Sequence, residues 1–293
     1  MKFYKRILFP TDFSECADAA YEYALLIAKM YNAELHVFFA DVRYLNPFDL
    51  EFEITTDIQI DFKQSMDKYE LKYGISYDKI KKTSIKGYAT APCIIDYIKK
   101  EQIDLIIMGT HGRRGIRHML LGSVTEEVLK TTPCNIITIR KDHSVMSVPK
   151  HILIPTDYSD QSLRAVSEGY NIAQKFSAVL TLLHVIEKPI PAAYYLAGDE
   201  ETIDQFYELT AKDAKKKLDD INKDAGIRLN YKIKVIKGHV ASSITKYASD
   251  NKVDLIVMGS HGHTGLTHFL LGSTTDKVVR STTCPVMIVK RDN

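Results

Sequence analysis

Short apolar runs alternate with helix-length amphipathic stretches along this chain, and the alternation happens twice. In the first half, strand-like runs occupy 6–10, 34–40, 82–87, 105–109 and 135–140, separated by helix-like stretches near 15–31, 57–72, 90–101 and 123–131. The second half repeats the order, with runs at 151–156, 179–186, 229–237, 255–259 and 285–290 and helices near 160–176, 200–225, 240–250 and 273–281. Several runs, such as LIIMG and LIVMG, are apolar at consecutive positions, the pattern of a strand covered on both faces. Strands of that kind alternating with helices predict parallel, doubly wound sheets. Ligands of such sheets bind beyond the carboxyl ends of the strands, where the strand order reverses.

The repetition is visible residue by residue. RILFPTDFS (6–14) matches HILIPTDYS (151–159), and AELHVFFAD (33–41) matches AVLTLLHVIE (178–187) through a shared His-Val. IKGYATAPCIIDYIKKEQIDLIIMG (85–109) matches IKGHVASSITKYASDNKVDLIVMG (236–259), and TTPCNIITIRK (131–141) matches TTCPVMIVKR (282–291). Two copies of one domain, 1–141 and 150–293, joined by a linker at 142–149, account for these matches. The linker spans at most ~30 Å.

The 293 residues suit two domains, each large enough to bury a core. The net charge is +2, and neither half carries the basic excess of a nucleic-acid binder. Four cysteines without a CxxC spacing suit a reducing compartment. No apolar run reaches the length of a membrane span, and the amino terminus lacks the pattern of a signal peptide. These features lead us to expect a soluble cytoplasmic protein with no membrane or nucleic-acid partner.

The chemistry concentrates in a glycine pattern, G-x2-G-x9-G-S, that follows the fourth strand of each half. The first copy reads GTHGRRGIRHMLLGS, with Gly109, Gly112, Gly122 and Ser123. The second reads GSHGHTGLTHFLLGS, with Gly259, Gly262, Gly272 and Ser273. Glycines past a strand, with Gly-Ser opening the next helix, allow backbone N–H groups to converge on an anion. Thr125 and Thr275 offer further hydroxyl donors. The same residues also read as ordinary turn glycines and N-caps. No lysine follows the glycine, so this is not a Walker A loop, and G-x-G-x-x-G is absent. Asp12 and Asp157 end the first strand of each half, where a carboxylate can accept from ribose hydroxyls or close an Asx turn onto Ser14 or Ser159.

Histidines crowd the loops, with His111 and His118 in the first and His261, His263 and His268 in the second. His261-x-His263 lacks the accompanying Cys, Asp or Glu of a metal site. Arg113, Arg114 and Arg117 give the first loop a positive charge that the second lacks, which favours polyphosphate at the first. Cys16 reads as a structural thiol near a helix start, and His36 and His184 as side chains packed beside the sheet end. The tracts 44–62 and 188–207 read as lids, interaction surfaces or structural covers.

PTD(F/Y)S after the first strand, His-Val in the second, and MG(T/S)HG…GS after the fourth together resemble the universal stress protein family over essentially the whole chain. The glycine pattern is similar to that of the family's ATP-binding branch. The resemblance implies two tandem Rossmann-like domains, each a five-stranded parallel sheet in order 3-2-1-4-5 with helices on both faces. It also implies ATP, ADP or AMP at the carboxyl edge. Asp12 and Asp157 would hold ribose, and Val37 and Val185 would contact adenine, largely through backbone. Gly109, Gly112, Gly122, Ser123, Val124 and Thr125 would line one ribose–phosphate site, and Gly259, Gly262, Gly272, Ser273, Thr274 and Thr275 the other. Thr274 departs from the valine usual after Gly-Ser. Mg²⁺ can accompany the phosphates, although no motif demands it. Dimeric single-domain relatives imply an intramolecular pseudo-dimer, with 135–140 beside 285–290 and scope for further homodimerisation. No acid–base or nucleophile–base pair marks a catalytic centre. The expected role is nucleotide binding in a stress response, with a slow ATPase or nucleotide-dependent switch and a scaffold with vestigial pockets as alternatives.

Overall fold

The computed structural model describes residues 4–42, 64, 66, 67, 79–111, 121–141, 148–187, 200–224, 231–262 and 271–290. Apart from four residues at the termini, the chain divides into two compact units, Phe3–Ser147 and Val148–Arg291. Most of the helix expected over 57–72, the whole tract 44–62 and residues 188–199 lie outside the described residues.

In the first unit, strands β1 (Arg6–Pro10), β2 (Glu34–Val42), β3 (Ile80–Gly87), β4 (Leu105–Gly109) and β5 (Asn135–Ile139) alternate with helices α1 (Glu15–Tyr31), α2 (Thr90–Glu101) and α3 (Ser123–Thr131). The strands pair in the order β3–β2–β1–β4–β5, every pair parallel. The second unit repeats this with β6 (His151–Pro155), β7 (Val179–Ile186), β8 (Tyr231–Lys237), β9 (Leu255–Gly259) and β10 (Val286–Val289). Its pairs run β8–β7–β6–β9–β10, again parallel. Helices α4 (Asp160–Phe176), α5 (Glu200–Asp224), α6 (Val240–Asp250) and α7 (Ser273–Ser281) complete it. Both units are α/β, as the alternation predicts.

Burial follows position in the order. All five residues of β4 and of β9 are buried, and their runs are continuously apolar. The outer strands β3 and β8 alternate instead, turning Lys82, Lys86, Lys232 and Lys234 to solvent. Two aspartates that sequence reasoning overlooked fix the start of each central strand. Asp104 Oδ2 accepts from the N–H of Lys5 and Arg6 at 2.8 and 2.9 Å, and Asp254 Oδ2 accepts from Lys150 and His151, both at 2.9 Å.

The other end of each central strand is open. Asp104 N donates to Arg6 O, so even-numbered β1 residues turn their backbone groups toward β4. Pro10 falls on that side and has no N–H to give. The β1–β4 ladder accordingly pairs only Ile7 with Leu105 and Leu8 with Ile106. Pro155 occupies the same position in β6, whose ladder with β9 stops at Leu153 and Ile256. A crevice thus opens at the point of order reversal in each unit.

Among the described residues no helix is long and apolar enough to cross a membrane.

His36 is not at the sheet end but deep within β2, only 1% exposed. Its Nδ1 lies 2.9 Å from Tyr97 Oη, which lies 3.1 Å from Thr83 Oγ1, and its Nε2 is 3.3 Å from Glu34 Oε2. Burial holds its pKa below the ordinary value of 6.5, outweighing the raising effect of Glu34. The fold favours the neutral ring, so this contribution is complete above the unfolded pKa and is lost as pH falls toward the folded one. Urea unfolding should therefore show His36→Gln costing most at about pH 7.5 and less at about pH 5.5. A gap independent of pH would contradict this.

Candidate functional site

The residues just past β1 and β6 build one turn twice. Thr11 Oγ1 accepts from Phe13 N at 3.0 Å, Asp12 Oδ1 from Ser14 N at 3.1 Å, and Ser14 Oγ from Ala17 N at 3.3 Å, capping α1. In the second unit Thr156 Oγ1 accepts from Tyr158 N at 3.1 Å. There Asp157 Oδ1 accepts from Ser159 N at 3.0 Å and from Ser159 Oγ at 2.6 Å, while Ser159 caps α4. Each aspartate therefore closes an Asx turn, one of the two roles its position predicts. The turn also holds the carboxylate at the strand's carboxyl end. A Cβ on Gly262 would fall 2.5 Å from Asp157 Oδ2, so the second loop's backbone runs directly against this carboxylate. Gly112, its counterpart, lies outside the described residues, as do Arg113, Arg114, Arg117, His118, His263 and His268.

The remaining loop glycines also have a packing role. A Cβ on Gly109 would meet Cys16 Sγ at 2.9 Å and Cys16 O at 3.1 Å, and one on Gly259 would meet Gln161 O at 2.9 Å. Both glycines let the first turn of α1 or α4 settle onto the strand end, which is helix–sheet packing. Cys16 is buried there, as the structural reading of that thiol anticipates. Gly122 N donates to Thr110 O and Gly272 N to Ser260 O, both at 2.8 Å, so each loop is drawn closed at its neck. At Gly272 a Cβ would sit 3.2 Å from Ser260 O and from His261 Cα, too close for that neck.

Helices α3 and α7 begin at the neck with no side-chain cap, because their N-cap residues are Gly122 and Gly272. The first helical bonds run from Glu126 N to Gly122 O and from Asp276 N to Gly272 O. The preceding N–H groups, on Ser123, Val124 and Thr125 and on Ser273, Thr274 and Thr275, find no acceptor among the described residues. Three such donors at a dipole's positive end have the chemistry that could receive an anion. The Thr125 and Thr275 hydroxyls are otherwise engaged, since each is buried and donates to Gly109 O or Gly259 O at 2.9 Å. Their expected role as additional donors is replaced by anchoring the helix start to the strand end.

Strand register corrects the expected base contact in the first unit. Pro10 pairs with Phe38 and Pro155 with Leu183, and Thr11 N and Thr156 N donate to those two carbonyls at 2.9 Å. Phe38 thus corresponds to Leu183, Ala40 to Val185, and Val37 to Leu182. Val37 sits inside the sheet beside Phe9 and is fully buried. The His-Val dipeptides that suggested the alignment differ by three positions in register. Because the Phe38 and Leu183 carbonyls face the central strand, the N–H and C=O of Ala40 and Val185 face the same way, beyond the point where that strand has ended. Their other register partners are Ile85 and Ile236, on the far side. Ala40 and Val185 therefore each present one donor and one acceptor to the crevice.

Side chains behind the crevice differ between units. Phe13 and Phe39 rings lie 5.6 Å apart in the first. In the second, Tyr158 packs on His184 at 4.6 Å, and His184 Nδ1 donates to Thr156 O at 2.9 Å, which assigns the proton to Nδ1. Burial, with Asp213 as a smaller cause, raises the Tyr158 pKa and keeps its hydroxyl protonated. His111 and His261 turn Nδ1 onto the neighbouring Thr110 and Ser260 hydroxyls, both at 2.9 Å. Among the described residues no group of His, Cys, Asp or Glu could hold a metal ion.

Comparison with known proteins agrees with this duplicated plan. The model of the universal stress protein family matches residues 3–140 and again 149–290. Universal stress protein MJ0531 of Methanocaldococcus jannaschii is 34% identical over 142 residues, covering 48% of this chain and 82% of the relative. Universal stress protein MJ0577 of the same organism is 34% identical over 157 residues, covering 49% of this chain and 96% of the relative. The fold is that of a universal stress protein from Archaeoglobus fulgidus, with a TM-score of 0.71 at 22% identity over 99% of this chain and 98% of that one. Two family matches in succession, each spanning one unit, establish that the chain belongs to the universal stress protein family.

Proposed function

We propose that each unit binds an adenine nucleotide, with ATP as the leading ligand, and that the protein serves a regulatory role in a stress response. One observation carries the reading. In each crevice a carboxylate (Asp12 or Asp157), an outward N–H and C=O pair (Ala40 or Val185) and an uncapped helix start (Ser123–Thr125 or Ser273–Thr275) occur together. These are the partners that a ribose, a purine edge and a phosphate chain require. The backbone N–H suits adenine N1 and the C=O suits the N6 amino group. Guanine could meet the same pair through O6 and N1–H, and adenine is preferred on the family resemblance. Ser123 and Ser273 are exposed at the helix starts, which supports access for phosphate. Mg²⁺ would be carried in by the phosphates. No group in either crevice is assigned a catalytic role, so slow hydrolysis or a nucleotide-dependent switch is the second reading and a scaffold the third.

The test is to purify the unlabelled chain, denature it and identify the released nucleotide, with calorimetry of ATP and GTP on the emptied protein. We expect an adenine nucleotide and two ATP sites per chain, with GTP weaker. Asp12→Ala and Asp157→Ala should each weaken one site by about 10- to 100-fold, the scale of a hydrogen bond to a charged group. Gly262→Val should remove ligand from the second site alone, because its side chain would occupy the space beside Asp157 Oδ2. A chain that binds neither nucleotide would favour the scaffold, and single-turnover hydrolysis would separate a binder from an ATPase.

The pseudo-dimer is proposed on the same resemblance, and a cytoplasmic setting on the cysteine usage and the sequence pattern. A cysteine pair on facing positions of 135–140 and 285–290 should crosslink within one chain, and its failure to do so would overturn the pairing.

A further inference from the structure

We propose that Tyr158 is a positioning residue for the second crevice. It ties the turn carrying Asp157 to helix α5, so that nucleotide at Asp157 and docking of α5 reinforce each other. This rests on the nucleotide-binding reading and extends it to one unit in particular. The two turns look interchangeable as PTDFS and PTDYS, yet the side chains around them differ. Phe13 and Tyr158 both occupy the left-handed region, with φ of 59° and 67°, a conformation that bulky L side chains rarely adopt without being held. Local bonds to Thr11 and Thr156 are common to both.

In the second turn the tyrosine hydroxyl adds a bond that a phenylalanine cannot make. Tyr158 Oη donates to Ala214 O in α5 at 3.3 Å, and the Lys217 ammonium lies 5.7 Å from the ring centroid. Lys217 is itself paired with Asp213 at 2.9 Å, one helical turn away. The His184 ring packs on the Tyr158 ring, and its own bond to Thr156 O returns to the same turn. Ala214 and Leu218 are buried at 4% and 0%, so the tyrosine meets the seated face of the helix. Phe13 has no hydroxyl, and the first unit cannot form the corresponding bond to a helix.

Asp157 and Tyr158 are consecutive, so the peptide plane between them transmits any change at one to the other. A helix that fixes Tyr158 also fixes the carboxylate before ligand arrives, which removes part of the ordering cost of binding. Linkage makes the effect reciprocal: if docked α5 strengthens nucleotide binding by some factor, bound nucleotide strengthens α5 docking by the same factor. Helix α5 is then the element through which occupancy of the second crevice becomes visible at the surface, with Leu209 69% exposed on the same helix.

The experiment uses the full chain carrying Asp12→Ala, which leaves the second site as the reporter. ATP affinity is measured by calorimetry, and amide exchange of residues 208–221 is followed with and without ATP. ATP should slow exchange across this segment. Tyr158→Phe should weaken ATP binding by about fivefold, the scale of one neutral hydrogen bond, and should abolish or shrink the slowing. Lys217→Met, altering an exposed side chain, should shift both readouts in the same direction and guards against a folding defect in the first variant. ATP binding that leaves exchange in 208–221 unchanged would overturn the coupling, as would Tyr158→Phe and Lys217→Met variants matching their parent in both readouts. Loss of all ATP binding in the chains with either aspartate intact would instead overturn the nucleotide reading, and this proposal with it.

Discussion

A proline that cannot donate determines where each candidate site forms. Pro10 and Pro155 sit at the last position of the central strand with their nitrogens turned toward the neighbouring strand across the order reversal. A residue with an N–H there could extend the ladder and close the gap. With proline, the ladder stops, the chain leaves the sheet, and the next turn lifts an aspartate to the rim. The same early ending leaves β2 and β7 protruding, so Ala40 and Val185 keep backbone groups that regular pairing would have consumed. Carboxylate, donor–acceptor pair and crevice are consequences of one truncated strand.

The helix starts complete this arrangement by a related economy. Glycine at the N-cap supplies no side chain, so the first-turn N–H groups stay available, whereas Ser14 and Ser159 cap α1 and α4. Helices α2 and α6 also start without a side-chain cap, but among the described residues only at α3 and α7 is the N-cap residue a glycine next to the loop neck. Buried threonine hydroxyls then secure these two helices to the strand ends. At Thr125 and Thr275 the hydroxyl is used for anchoring, which leaves the backbone N–H as the group free for the proposed anion.

Much of this was legible in the sequence because it is local or repeated. Continuous apolar runs marked β4 and β9, and the duplicated glycine spacing marked the loops and the helix starts. Asp12 and Asp157 could be placed because a strand and a cap flank them closely. Val37 could not be excluded by inspection, since a shared His-Val carries no information about register, which depends on where β1 and β6 stop. The packing role of Gly109 and Gly259 is equally hidden, since nothing nearby in sequence reveals that Cys16 and Gln161 press on them. Asp104, Asp254 and the attachment of Tyr158 to α5 depend on partners 56 to 104 residues distant. Such contacts leave no periodic trace.

The closed necks of the glycine loops bear on how these two units can diverge. Thr110 meets Gly122, and Ser260 meets Gly272, through one short backbone bond each. The segment between them behaves as a cassette whose ends are fixed independently of its contents. Residues can be exchanged or inserted within it without moving the strand end or the helix start, since lengthening a loop that is already closed adds little further entropic cost. The three arginines of one copy and their absence from the other are the kind of variation that such a cassette tolerates. One scaffold can in this way carry two loops of different charge between the same strand end and the same helix start.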